Sequence, residues 1–248
     1  MHHFFVTPEW VDEEQKRIRI SGSDVNHIRN VLRMKIGEEM LISDGAGKDY
    51  VCRLAQYHEN EEVEAEILDE VFEGTELKSK IYLFQGLPKS DKMELIIQKA
   101  VELGAYEVIP VATKRAIVKL DKKKEESKRK RWNEISKSAA KQSRRSIVPE
   151  VKPVMSLKEA INYAKTLDIN LIPYENYKDM SETKQVIDKI ENGMSIGIFI
   201  GPEGGFEEEE VDFAVENKVE RISLGKRILR TETAGLMLIS VLMFRLEE

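Results

Sequence analysis

Two glycine-bearing segments near the C-terminus hold the residues best suited to chemistry: Gly201-Pro202-Glu203-Gly204-Gly205-Phe206 and Leu224-Gly225-Lys226-Arg227-Ile228-Leu229-Arg230-Thr231-Glu232-Thr233-Ala234. Three closely spaced glycines remove the Cβ atoms that keep a ligand away from main-chain N–H and C=O groups, so a flat or polar small molecule can rest there. The second segment sets Arg230, Thr231, Glu232 and Thr233 in consecutive positions directly before an apolar run. A single glycine-rich turn is more often a plain tight turn than a site. Two such segments, one of them carrying an arginine and a carboxylate beside a buried helix, point to a ligand.

The elements that must position these segments follow from the hydrophobic pattern. After Gly74, strand-like runs at 80–85, 108–111, 170–173, 196–200 and 221–224 alternate with helical ones, which predicts a largely parallel sheet covered on both faces. Ser90 is expected to cap a helix with the apolar stripe Met93, Ile96, Ile97 and Ala100, ended by Gly104. Glu207 to Glu210 open another helix, where carboxylates favour the positive end of its dipole. Before Gly74, alternating runs at 17–20, 39–42 and 50–54, separated by Ser-Gly and Asp-Gly turns, predict a small β-barrel with one helix at 25–32. The division is therefore expected at 1–73 and 74–248.

The chain carries a net charge of −6, yet residues 114–145 hold 14 Lys and Arg against 4 Asp and Glu. A basic stretch on an acidic protein is a footprint for phosphate backbones. An isolated charge run is usually a solvated face. Here Trp132, Ile135, Ala139 and Gln142 lie at helical spacing and anchor one face, leaving Lys128, Arg131 and Lys141 to project elsewhere.

Several classes are excluded. Cys52 is the sole cysteine, which rules out an internal disulfide and cysteine-based metal clusters, and no metal is expected. The N-terminus lacks a long apolar core, so a cytoplasmic location is expected. The most apolar run, 234–244, is far short of the roughly 20 residues that span a bilayer, and is expected to be a buried helix. Gly45-Ala46-Gly47-Lys48-Asp49 lacks the upstream glycine and the following Ser or Thr of a phosphate loop and reads as a hairpin turn. No G-x-G-x-x-G follows a strand, which argues against a Rossmann site.

The two glycine segments, with Gln85-Gly86-Leu87-Pro88-Lys89-Ser90-Asp91-Lys92-Met93, residues 98–104, Gln142-Ser143-Arg144-Arg145, residues 27–33 and Asp44-Gly45-Ala46-Gly47, resemble the RsmE family over nearly the whole chain. The chain departs from that pattern at Lys141, where a glutamate is usual, at Arg144, where glycine is common, and at Gly86 and Ser90 around the Leu-Pro-Lys turn. The resemblance implies a methyltransferase that uses S-adenosylmethionine (SAM) to modify N3 of one uridine in small-subunit ribosomal RNA. It further implies a SPOUT-type fold with a C-terminal trefoil knot, a PUA-like N-terminal barrel and a homodimer.

The same resemblance suggests roles for individual residues. Main-chain groups at Ile200, Gly201, Gly204, Leu224 and Leu229 would form the adenosine pocket, with Leu171, Pro173 and Tyr174 beside the methionine portion, Pro202, Ser223, Gly225 and Ile228 as further cofactor contacts and a hydroxyl contact from Thr233. Arg230 would stabilise the uracil oxygen that gains charge as N3 is deprotonated. Glu232 would take that proton or orient a group that does; alternatively Arg230 and Glu232 would pair with each other or with the dimer partner and merely hold the loop. Arg29, Arg33, Lys89, Arg115, Lys128, Arg131, Gln142 and Arg145 are the expected RNA contacts. A SPOUT enzyme acting on transfer RNA or on a ribose hydroxyl, and a non-catalytic ribosome-assembly factor, are the alternatives.

Overall fold

The computed structural model describes residues 1–59, 61–71, 74–174 and 180–247. The chain forms two compact units, Met1–Glu76 with Ala140–Val148, and Leu77–Ala139 with Pro149–Glu248. The expected division at Glu73 falls on a residue outside the described ones.

The first unit is built on strands β1 (His2–Phe5), β2 (Val11–Asp12), β3 (Arg17–Ile20), β4 (Glu39–Ser43), β5 (Asp49–Tyr57) and β6 (Val63–Val71), in the sheet order β1-β4-β5-β6-β3-β2. Alternation delivers Ile18, Ile20, Met40, Ile42, Cys52 and Leu54 to one buried core with Phe4 and Ile28. Burial pushes the Cys52 thiol up to about 12. Gly45 (φ 72°) and Gly47 (φ 115°) form the hairpin turn between β4 and β5, closed by the Asp44 N–H donating to Lys48 O at 3.0 Å. The expected helix starts as α1 (Ser23–Asn26) and widens into a π turn at His27–Val31. Ala140–Val148 joins this unit through Lys141 to Asp24 at 2.7 Å, Ser146 Oγ to Asp49 at 2.5 Å and buried Arg145 to Glu76 at 2.5 Å.

The second unit runs β7 (Lys80–Gly86), α2 (Lys92–Glu102), β8 (Ala105–Ala112), α3 (Lys122–Ser143), β9 (Glu150–Val151), β10 (Met155–Ser156), α4 (Leu157–Ala164), β11 (Ile169–Pro173), α5 (Met180–Asp188), β12 (Ser195–Ile200), α6 (Glu208–Glu216), β13 (Glu220–Ile222) and α7 (Thr231–Leu246); the last residues of α3, from Ala140, belong to the first unit. Its strands are all parallel, in the order β10-β8-β7-β12-β11-β13, with β9 also on β8. The chain leaves β7 towards β8 and later returns on the other side through β12. The carboxyl ends of strands at such a reversal are the place where open α/β sheets bind ligands.

Alternation along β7 and β12 decides which residues face which helices. Phe84 and Phe199 stack at 4.3 Å on one side, in a core with Leu157 and Ile161 of α4 and Val211 of α6. Leu83, Gln85 and Ile200 face the other side, where Gly235 lets α7 approach to contact distance. Burial of each large apolar side chain contributes about 1.5–3 kcal/mol.

Three local expectations are corrected. Ser90 is not the cap of α2: it adopts φ 56°, and Asp91 stands at the N-cap, its carbonyl accepting the Glu94 N–H at 3.0 Å. Gln142 is exposed, and Trp132, Ser136, Ala139 and Ala140 form the buried face of α3. The run at 234–244 is not buried all round, since Phe244 is 85% exposed. Among the described residues, no helix is long and apolar enough to cross a membrane.

Candidate active site at the carboxyl edge of the parallel sheet

Paired registers put Gln85 beside Ile200, and Pro173 beside Ile222, so the loops leaving β7, β12, β11 and β13 start from one edge. The loop after β12 turns tightly, with the Gly205 N–H donating to Pro202 O at 2.9 Å and Gly205 at φ 68°. A Cβ on Gly201 would lie 2.9 Å from the carbonyl carbon of Gly205, and one on Gly86 would lie 2.7 Å from Pro202 N. Real side chains do not tolerate such distances to backbone, so glycine is required at both positions. Gly205 and Gly225, by contrast, have nothing within 4 Å of an added Cβ. Main chain there borders open space.

The start of α7 is tied beneath this loop. Gln85, fully buried, donates from Nε2 to Gly86 O and to Thr231 Oγ1, both at 2.9 Å, and Thr231 donates to Gly201 O at 2.6 Å. Gln85 Oε1 is buried without a hydrogen-bond partner. A second tie runs through charge: Lys92 Nζ lies 3.0 Å from Glu203 and 3.4 Å from Glu232, joining α2, the glycine loop and α7. Burial alone would raise the Glu203 carboxyl, but hydrogen bonds from its own N–H, Lys92 and the Lys89 N–H hold it below the ordinary range. Lys92 is raised, chiefly by its hydrogen bond to Glu203. Arg115 clamps the loop from outside, donating to Gly204 O at 2.8 Å and to both Glu207 oxygens at 2.8 and 3.0 Å.

Arg230 stands at the N-cap of α7, exposed. It makes no ion pair with Glu232 or any other described residue, and Glu232 turns to Lys92 instead. Of the other expected pocket residues, Leu171, Ile200, Pro202 and Ser223 are buried, while Pro173, Tyr174, Gly201, Leu224, Gly225 and Leu229 are partly buried. Their main chain is ordered by the Tyr174 N–H on Ile222 O at 3.1 Å, the Ser223 N–H on Thr183 Oγ1 at 2.8 Å and the Gly225 N–H on Ser223 Oγ at 3.2 Å. Gly204, Thr233 and Ile228 are exposed, Ile228 at 85%.

Comparison with known proteins decides the family. An RNA methyltransferase domain matches residues 75–243, and an RNA methyltransferase PUA domain matches residues 20–68. Ribosomal RNA small subunit methyltransferase E of Bacillus subtilis is 38% identical over 238 residues, 95% of this chain and 93% of its own length. The chain belongs to the ribosomal RNA small subunit methyltransferase E family. Another family member, from Neisseria gonorrhoeae and solved bound to S-adenosyl methionine, superimposes with a TM-score of 0.84 at 33% identity over 99% of this chain and 98% of that one. A Legionella pneumophila protein with bound SAM gives 0.83 at 29% identity over 98% and 97%. The expected α/β fold with a mostly parallel sheet and a PUA-like N-terminal domain is borne out.

Within this methyltransferase E chain, the expected RNA contacts occupy diverse environments. Arg33, Lys89 and Gln142 are exposed. Arg29 lies over the Tyr57 ring at 4.9 Å and donates to His58 O. Lys128 lies 5.9 Å from the Trp132 ring, and Arg131 is held by Glu94 at 2.5 and 2.7 Å. Arg115 is exposed and engaged by Glu207, whereas Arg145 is buried against Glu76 as a strut. Sequence reasoning missed Gln85, Lys92, Glu203 and Thr231 as site residues. A signal existed for Gln85: it is the one polar side chain at the end of the apolar run Ile81-Tyr82-Leu83-Phe84.

Proposed function

We propose that this protein methylates small-subunit ribosomal RNA at N3 of one uridine, using SAM, and does so in the cytoplasm. One observation carries the reading: glycine-bearing main chain of the β7 and β12 loops packs together where the strand order reverses, with Arg230 exposed at the start of α7, which is tied to Gly201 through Thr231. The donor set fits the cofactor. Neutral main-chain groups suit an adenosine, and at Gly205 and Gly225 nothing lies within 4 Å of where a Cβ would stand. When bound, SAM supplies a methyl group already activated by its sulfonium.

The chain's residues then have to bind, align and move a proton. Main chain at Ile200, Gly201, Gly204, Leu224 and Leu229 holds the adenosine, flanked by Pro202, Ser223, Gly225 and Ile228. Leu171, Pro173 and Tyr174 border the methionine portion, and Thr233 offers a hydroxyl from the exposed face of α7. Arg230 stabilises the uracil oxygen on which charge develops as N3 loses its proton, aided by the positive end of the α7 dipole. Glu232 accepts that proton, its carboxylate aligned by Lys92 at 3.4 Å.

The wider assembly is proposed on the same footing. The domains are 1–73, a PUA-like RNA-binding unit, and 74–248, the methyltransferase unit. The C-terminal segment, tied to the glycine loop through Thr231 and Gly201, is threaded as a trefoil knot in this reading. Met237, Val241 and Phe244 expose one apolar stripe of α7, 36%, 38% and 85% accessible, which supports a homodimer. Labelled methyl transfer from SAM tests the reading: small-subunit RNA should accept label and transfer RNA should not. Label on transfer RNA alone would overturn it.

A further inference from the structure

Six of the fourteen basic residues between 114 and 145 are held in ion pairs. Lys114 pairs with Glu209, Arg115 with Glu207, Lys124 with Asp121, Arg131 with Glu94, Lys141 with Asp24 and Arg145 with Glu76. Of the others, for which no such pair is found among the described residues, Lys123, Arg129 and Lys130 line one groove between α3 and β9. Lys123 and Lys130 lie two helical turns apart, about 10 Å along the axis.

The groove is pre-organised. Asn133 stitches α3 to β9, donating to Arg129 O at 2.9 Å and Val151 O at 3.1 Å and accepting the Val151 N–H at 3.0 Å. Glu150 on the rim is neutralised by Lys152 at 2.6 Å, which leaves Glu126 as the only unpaired carboxylate among the groove's residues. On a chain of net charge −6, general attraction to polyanions is absent, so a polyanion must be gathered locally.

We propose that the phosphodiester backbone of the substrate RNA crosses the second unit in this groove, held by Lys123, Arg129 and Lys130. The proposal rests on the reading of the chain as a ribosomal RNA methyltransferase, and it moves the expected contact on α3 away from Arg131.

The test is equilibrium binding of transcribed small-subunit ribosomal RNA over a range of salt, with SAM calorimetry on the same preparations. The triple variant Lys123→Gln, Arg129→Gln, Lys130→Gln is expected to flatten the plot of log K against log salt by about two units, at about 0.7 per single-strand phosphate contact. Arg131→Gln should leave the slope unchanged, and Glu126→Lys should steepen it. An unchanged slope in the triple variant with intact SAM binding overturns the groove, as does an unchanged slope in Glu126→Lys should the triple variant fail to fold. If the wild-type protein transfers no methyl group to this RNA, the functional reading itself fails, a result separate from either slope.

Discussion

Thr231 donates its hydroxyl hydrogen to the main-chain carbonyl of Gly201 at 2.6 Å while accepting one from Gln85 at 2.9 Å. Three loop bases at the sheet edge are thereby joined by one buried chain of hydrogen bonds. The Gly201 carbonyl is held inward by this contact, which fixes the direction of the glycine loop.

Thr231→Val keeps the volume and removes the hydroxyl, leaving the Gly201 carbonyl and a Gln85 donor without that partner. The expected cost is roughly 1–3 kcal/mol of folding stability, read by denaturant unfolding, with weaker SAM binding by calorimetry. Thr231→Ser should recover most of both.

Binding and chemistry should separate between Gly201 and Arg230. Gly201→Val places side-chain atoms against Gly205 and should abolish SAM binding. Arg230→Ala should lower the single-turnover rate by about 100- to 1,000-fold with little change in the SAM dissociation constant, because the guanidinium acts on charge that appears only in the transition state. Loss of SAM binding in Arg230→Ala with an unchanged rate in the remaining complex would make it structural.

The Lys92 tie gives a pH window. Glu203 titrates below its ordinary 4.5, so its contribution is present above that pH and is lost as pH falls through the lower folded value. Lys92 titrates above its ordinary 10.5, so its contribution is present below that pH and is lost as pH rises through the higher folded value. Thermal stability should therefore stay level between about pH 5 and 10 as far as this tie is concerned. Lys92→Met should flatten the acid limb.

If α7 forms the subunit interface, Phe244→Asp should shift the protein to monomers in sedimentation equilibrium. The exposed apolar stripe would then carry a charge into the contact. A dimer of unchanged strength would place the interface elsewhere.

Much of this was legible locally. Gly201 to Phe206 and the strands flanking them could be read because apolar runs and glycine clusters are short-range signals. What escaped depends on partners distant in sequence. Arg131 looks free until Glu94, 37 residues away, takes its guanidinium, and Arg145 looks like a surface cation until Glu76 buries it. Thr231 and Thr233 are indistinguishable as residue types, and only the start of α7 decides that Thr231 points at Gly201 and Thr233 at solvent. Ser90 failed as a cap because the turn before α2 takes it to positive φ, which leaves Asp91 at the helix start.

The central claim is tested most directly by mass mapping of nucleosides from small-subunit ribosomal RNA methylated by the purified protein with SAM. A single 3-methyluridine, lost in Arg230→Ala, is the expected product. A methyl group on a ribose hydroxyl or on another base, or an unmethylated RNA, would contradict it.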